Sequence, residues 1–126
     1  MTLRLVVHQS AWNVHVQEVA SALAPVIPVV KGNGYGFGRS TLMKVAADLA
    51  EEIAVGTAYE LADVPQHRTP IVLTPVDDAC TVPLRNDAIF TVGSPHHVNT
   101  LRTFGHTGRV LLKLRSRMQR YGVAPS

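Results

Sequence analysis

Short apolar runs alternate along this chain with segments whose apolar positions recur every three or four residues, the pattern of βα units around a parallel sheet. Leu3 to Val7 predicts a strand, so residues 1–8 are expected to form a lead-in strand ahead of one domain over 9–126. Ser10 is a candidate N-cap for a helix that carries Trp12, Val16, Val19, Ala20 and Leu23 on one face. Pro25 and Pro28 bracket the helix end and the apolar run Val26 to Val30, which predicts a buried parallel strand. A second helix is expected from near Ser40, with Leu42, Val45, Ala46 and Leu49 together. Ile53 to Val55, Ile71 to Leu73, Ile89 to Val92 and Val110 to Leu114 predict further strands. Helices are expected at Ala58 to Val64 and, after a Ser94 cap, at Pro95 to Phe104, where proline suits the first turn. Pro83 interrupts any long helix between Val76 and Asp87.

Composition adds a class but no chemistry. Hydrophobic residues make up 46% and charged residues 17% of the chain, which predicts a soluble α/β domain with a core. No run approaches the ~18 consecutive apolar residues of a membrane span. The segment Met1 to His8 lacks the long apolar region of a secretory signal, so the cytoplasm is the expected location. A single cysteine, Cys80, rules out an internal disulfide and a cysteine-based metal site. The net charge of +3 and isoelectric point near 9.4 admit an anionic ligand without naming one.

The candidate chemistry centres on Lys31. It stands at the end of the run Val29-Val30 and is followed by Gly32, Gly34, Gly36 and Gly38, which let the backbone turn tightly and approach a ligand. Partial desolvation by Val29, Val30 and Tyr35 is expected to favour the neutral amine, the form that attacks a carbonyl to give a Schiff base. A solvated strand cap is the plainer role for such a lysine. The glycines do not match the dinucleotide fingerprint, and no Gly-Lys-Ser or Gly-Lys-Thr follows.

The block Val30-Lys31-Gly32-Asn33-Gly34-Tyr35-Gly36-Phe37-Gly38 resembles the cofactor-lysine motif of the alanine racemases, Val-Lys-Ala-Asn-Ala-Tyr-Gly-His-Gly. Ala54-Val55-Gly56-Thr57-Ala58-Tyr59-Glu60-Leu61-Ala62 is similar to that family's Ala-Val-Ala-x-x-x-Glu-Ala junction. The stretch Lys113 to Gly122 resembles its Lys-x-Asp-Thr-Gly-Met-x-Arg-x-Gly motif. The resemblance implies a (β/α)₈ TIM barrel of the alanine racemase N-terminal type. A complete barrel takes about 250 residues, with roughly 200 as a floor. At 126 residues the chain is expected to be a partial barrel, the leading portion of a longer or truncated enzyme.

The resemblance also implies pyridoxal phosphate as cofactor, a small amino-acid substrate, interconversion of L- and D-alanine, and a homodimer at full length. Lys31 would be the Schiff-base anchor and an acid–base group, and Tyr35 would hydrogen-bond the phosphate. Arg120 would contact the cofactor's phenolic oxygen and the substrate carboxylate, a task suited to a planar guanidinium. Lys113 matches a lysine that is carbamylated in several members. Arg115-Ser116-Arg117 stands where the family has Asp-Thr-Gly, and Phe37 stands where it has histidine. A cofactor-binding homologue without turnover, and a racemase or decarboxylase relative acting on another amino acid, are the alternatives.

If Val110 to Arg117 continues as a strand, Lys113, Arg115 and Arg117 alternate onto one face. A nucleic-acid role for these cations is disfavoured, because Phe104 and Tyr121 do not form an interleaved stacking platform. No metal site is expected: the adjacent His96 and His97 would diverge on a helix, and His8, His15, His67 and His106 lack ligand spacing.

Overall fold

The computed structural model describes residues 2–125, with Met1 and Ser126 outside the described residues. Two helices, α1 (Gln9–Leu23) and α2 (Arg39–Leu49), precede four short strands: β1 (Glu52–Val55), β2 (Thr69–Val72), β3 (Ile89–Val92) and β4 (Val110–Leu112). A 3₁₀ helix (Ala58–Asp63) links β1 to β2, and α3 (Pro95–Thr103) links β3 to β4. The strands form one sheet in the order β1-β2-β3-β4, and every pair is parallel. This α/β arrangement is a partial barrel wall with its strands in sequence order.

Period-two alternation sorts the strand side chains onto two faces. Ala54, Ile71 and Ile89 are register partners across three strands and form one buried cluster, joined by Leu73. Their neighbours Val55, Val72 and Phe90 are likewise partners and belong to the larger cluster on the helix side. There they meet Met43, Ala46 and Ala47 of α2, Leu61 and Leu101. Complete burial of a side chain such as Phe90 contributes roughly 1.5–3 kcal/mol. At the far side β4 is exposed throughout, as befits a strand with a neighbour on one side only.

α3 follows its sequence signals closely. Ser94 Oγ accepts the His97 N–H at 3.3 Å, and Pro95 occupies the first turn. The irregular segment between β2 and β3 is held by Arg85 in place of a helix. Its guanidinium donates to the carbonyls of Val64 and Arg68, each at 2.8 Å, and pairs with Asp87 at 2.6 Å. Val76 and Cys80 from this segment are buried in the larger cluster.

Four expectations are corrected. Leu3 to Val7 is no strand: it pairs with nothing among the described residues and its side chains are exposed, Leu3 fully. Extended backbone without a ladder partner has no means to satisfy its amides except water. Ser10 does not cap α1, because the helix starts at Gln9 with His8 in the cap position. The run Val26 to Val30 contributes a single bridge, Val29 with Ala54, rather than a full strand. The last strand ends at Leu112, followed by a bridge at Leu114 to Val123, so it does not extend through Arg117. The chain turns at 116–119, where Gln119 N–H bonds Ser116 carbonyl at 2.9 Å and Gln119 has φ 51°.

α1 is amphipathic in sequence but buries no residue fully. Trp12 and Val16 line a cleft of about 650 Å³ between α1 and α2, with Phe37, Leu42 and Val45 opposite. No helix of the described residues is long and apolar enough to cross a membrane.

Candidate active site

Backbone bonds place Lys31 at the C-terminal end of the sheet. Ala54 N–H donates to Pro28 carbonyl at 2.9 Å and Val30 N–H to Ala54 carbonyl at 2.8 Å, so residues 28–30 run parallel beside β1. Val30 is buried, and the next residue emerges at the mouth of the sheet. Ligands of parallel α/β folds sit at this end of the strands.

The loop that follows is wound into a tight knot. Phe37 N–H reaches Gly34 carbonyl at 2.9 Å, and Asn33 Oδ1 accepts Gly36 N–H at 3.1 Å. Gly32, Gly34, Tyr35, Gly36 and Gly38 all have positive φ. Gly34 is indispensable to this shape, because a Cβ there would lie 2.5 Å from the Gly38 carbonyl carbon and 2.6 Å from Arg39 N.

Lys31 is exposed, and its backbone is held from below and from one side. A Cβ on Gly56, the residue after β1, would come within 3.2 Å of Lys31 Cβ, so the lysine stem rests over bare backbone. The buried Glu60 carboxylate accepts the N–H groups of Gly32 at 2.7 Å, Gly56 at 2.5 Å and Thr57 at 3.0 Å. Arg39 donates to Gly32 carbonyl at 2.8 Å and pairs with Asp63. The apolar screen expected around the Lys31 amine is not built: Tyr35 is 55% and Val29 40% exposed. Tyr35 itself adopts φ 54° in this loop. Phe37 lies across from Trp12, ring centroids 6.5 Å apart.

A second group of residues gathers at the other side of the mouth. Lys113 follows β4, and its N–H bonds Val92 carbonyl at 2.8 Å. The chain then loops back, and Tyr121 Oη donates to Leu73 carbonyl at 2.5 Å, at the end of β2. His97 stands edge-on to the Tyr121 ring at 6.2 Å and accepts Gly93 N–H on Nδ1 at 3.0 Å. Lys113 Nζ lies 5.0 Å from the Tyr121 ring centroid, a cation–π contact. In that place the ammonium is attracted, whereas a carbamate would put negative charge against the ring's negative face. Burial raises the Tyr121 phenol above its ordinary value of 10.0, and the charge of Arg120 opposes that shift.

Arg120 is exposed, and its side chain has no hydrogen bond or ion pair among the described residues. Only the Tyr121 hydroxyl reaches the end of β2; the loop backbone packs against Gly93 after β3 and against Lys113 and Arg115 after β4. The end of β3 is three strand positions from the segment that carries Lys31, roughly 14 Å at about 4.8 Å per strand. Arg115 and Arg117 are exposed outside this group, Arg117 in the turn. Elsewhere His96 pairs with Asp78 at 3.1 Å, apart from His97. Among the described residues no three His, Cys, Asp or Glu side chains gather as a metal site would require.

Sequence reasoning overlooked Glu60, Arg39, Tyr121 and His97. Glu60 stands in a quoted motif, but the identity of its hydrogen-bond partners depends on a loop 28 residues away. Tyr121 occupies a position that the family motif leaves open.

The family model described as alanine racemase, N-terminal domain, matches residues 7–126. A search of curated proteins gives no match. The chain belongs to the alanine racemase N-terminal domain family, whose domain is a (β/α)₈ barrel and binds pyridoxal phosphate.

Proposed function

We propose that this member of the family binds pyridoxal phosphate through a Schiff base on Lys31 and serves the interconversion of L- and D-alanine. The observation that carries the reading is the seat of Lys31: an accessible amine at the C-terminal mouth of a parallel sheet, its stem fitted over Gly56. Gly56 stands where the quoted family motif has alanine, and its bare backbone lets the Lys31 stem and the Glu60 carboxylate close in on it. When bound, the cofactor would delocalise the electron pair left at the substrate α-carbon. Lys31, released from the cofactor, would take or return the α-proton through Nζ. Tyr35 would donate its hydroxyl to the phosphate. Arg120 would place its planar donors on the phenolic oxygen and on the substrate carboxylate.

Carbamylation of Lys113 would require that side chain to leave the Tyr121 ring. On this proposal the substrate is a small amino acid, the full-length enzyme is a homodimer, and the location is the cytoplasm. The departures at Arg115-Ser116-Arg117 and Phe37 favour one second reading, a cofactor-binding homologue without turnover. Phe37 faces Trp12, and its ring has no proton to exchange.

The test is to add pyridoxal phosphate, reduce with borohydride, and map the modified residue by mass spectrometry beside Lys31→Ala. Modification concentrated at Lys31 supports the reading; labelling that is scattered and survives Lys31→Ala defeats it. Racemisation of L-alanine, followed by chiral chromatography, separates the enzyme from the cofactor-binding homologue.

A further inference from the structure

Glu60 is the only buried carboxylate among the described residues, and neither the core nor the proposed chemistry uses it directly. We infer that Glu60, backed by Arg39, is the positioning residue that aims Lys31 at the cofactor; the inference rests on Lys31 being the cofactor lysine. One oxygen of Glu60 takes the N–H of Gly32, the residue directly after Lys31. The other takes the N–H groups of Gly56 and Thr57, which form the floor under the lysine stem. A single carboxylate therefore ties the loop to the floor.

Arg39 completes the grip beside Glu60. Its Nη1 donates to Gly32 carbonyl at 2.8 Å and lies 3.8 Å from Glu60 Oε1. Both peptide groups that flank Gly32 are thus bonded, one through N–H and one through C=O. The first of them sets the ψ angle of Lys31, and with it where the glycine loop stands relative to the lysine side chain. A glycine with φ 59° and open space around the place of a Cβ brings no side-chain restraint of its own, and the other bond on its preceding peptide is from Gly34 N–H to the Lys31 carbonyl at 3.1 Å. The carboxylate is the charge suited to this task, because an ionised acceptor takes several N–H donors at about twice the strength of a neutral one. Glutamine at 60 would turn an NH₂ toward at least one of the three N–H groups and open that side of the clamp.

The experiment compares wild type with Glu60→Gln and Arg39→Ala, using Lys44, an exposed lysine of α2, as internal reference. Each protein is treated with pyridoxal phosphate and borohydride, and separately with formaldehyde and borohydride. In both reactions the amine adds to the aldehyde carbon, water leaves, and borohydride delivers hydride to the C=N carbon. Mass spectrometry gives the ratio of labelling at Lys31 to that at Lys44. Formaldehyde reads only whether the amine is accessible; pyridoxal phosphate also reads where it points.

For Glu60→Gln the pyridoxal phosphate ratio is expected to fall about tenfold, within the ~100-fold that an ångström-scale misplacement costs. The formaldehyde ratio is expected to stay as in wild type. Arg39→Ala is expected to lower the first ratio by a smaller factor, and its partly exposed side chain makes it the variant to use if Glu60→Gln does not fold. Ratios that match wild type for pyridoxal phosphate overturn the inference while leaving Lys31 as the anchor. Ratios that fall together for both aldehydes overturn it too, since they mean an amine made less accessible and not one aimed elsewhere. A wild type whose Lys31 labels no better than Lys44 defeats the proposed function, and the inference with it.

Discussion

The sharpest consequence of the Lys31 loop concerns Gly34, where the family motif carries alanine. Alanine at 34 has to adopt φ near 69°, which costs an L-residue about 1–2 kcal/mol. Its methyl would also stand 2.5–2.7 Å from the backbone of Gly38 and Arg39, and such overpacking costs about 1–3 kcal/mol. Reduced freedom of the unfolded chain returns about 0.4–1 kcal/mol. Gly34→Ala is therefore expected to destabilise the chain by roughly 3 kcal/mol. The matched control is Gly32→Ala, with φ 59° and nothing within 4 Å of the new methyl. It carries only the backbone strain, so roughly 0.5–1 kcal/mol is expected. Urea unfolding followed by far-ultraviolet circular dichroism measures both values. If the two variants fall within about 0.5 kcal/mol of each other, below the usual size of an overpacking penalty, the account of this loop is wrong.

Further outcomes follow from other contacts. Gly56→Ala should lower pyridoxal phosphate labelling of Lys31, because the methyl would meet Lys31 Cβ at 3.2 Å and Glu60 Oε2 at 2.9 Å; equal labelling would refute the seat described for the lysine. Arg85→Ala should cost roughly 2–4 kcal/mol, since it removes charged hydrogen bonds and leaves carbonyls unpaired; a urea midpoint like that of wild type would show that the segment holds itself. The bond from Arg85 holds the Asp87 carboxyl below its ordinary value of 3.8, against an opposing effect of burial. That contribution is whole above 3.8 and is lost as pH falls through the depressed value, so Asp87→Asn should flatten the acid limb of stability against pH. Tyr121 has the reverse sign: its raised value makes its contribution whole below 10.0 and lost as pH climbs through that value. Absorbance titration should show Tyr121→Phe removing a phenol that titrates above 10.0, and loss of one at or below it would refute the placement.

The strands of the core were legible because each carries its own buried pair, as in Ile53 and Val55 or Phe90 and Val92. α3 was legible because Ser94 and Pro95 act locally. Leu3 to Val7 has the composition of a strand but no ladder partner, and a partner is not a property of the segment itself. Lys31 and its mouth position followed from sequence order. The clamp did not: a glutamate at the start of a short helix reads as a cap, and only the fold of residues 32–38 makes it bond Gly32. The Arg117 expectation failed for a related reason, since alternation along a strand cannot foretell that the chain turns back at 116–119.

The shallow seating of α1 has a dynamic consequence. Segments with few buried contacts open locally at low free-energy cost, ahead of the global transition. α1 has no fully buried residue, whereas α2 is anchored in the core by Met43, Ala46 and Ala47. Phe37, at the end of the lysine loop, faces Trp12 on α1, so undocking of that helix would strip the loop of its outer wall while Gly56 and Glu60 still hold its floor. Trp12 is the sole tryptophan of the chain. Its emission thus becomes a reporter of the first part of the molecule to let go, shifting at denaturant concentrations where the ellipticity of the sheet is still intact.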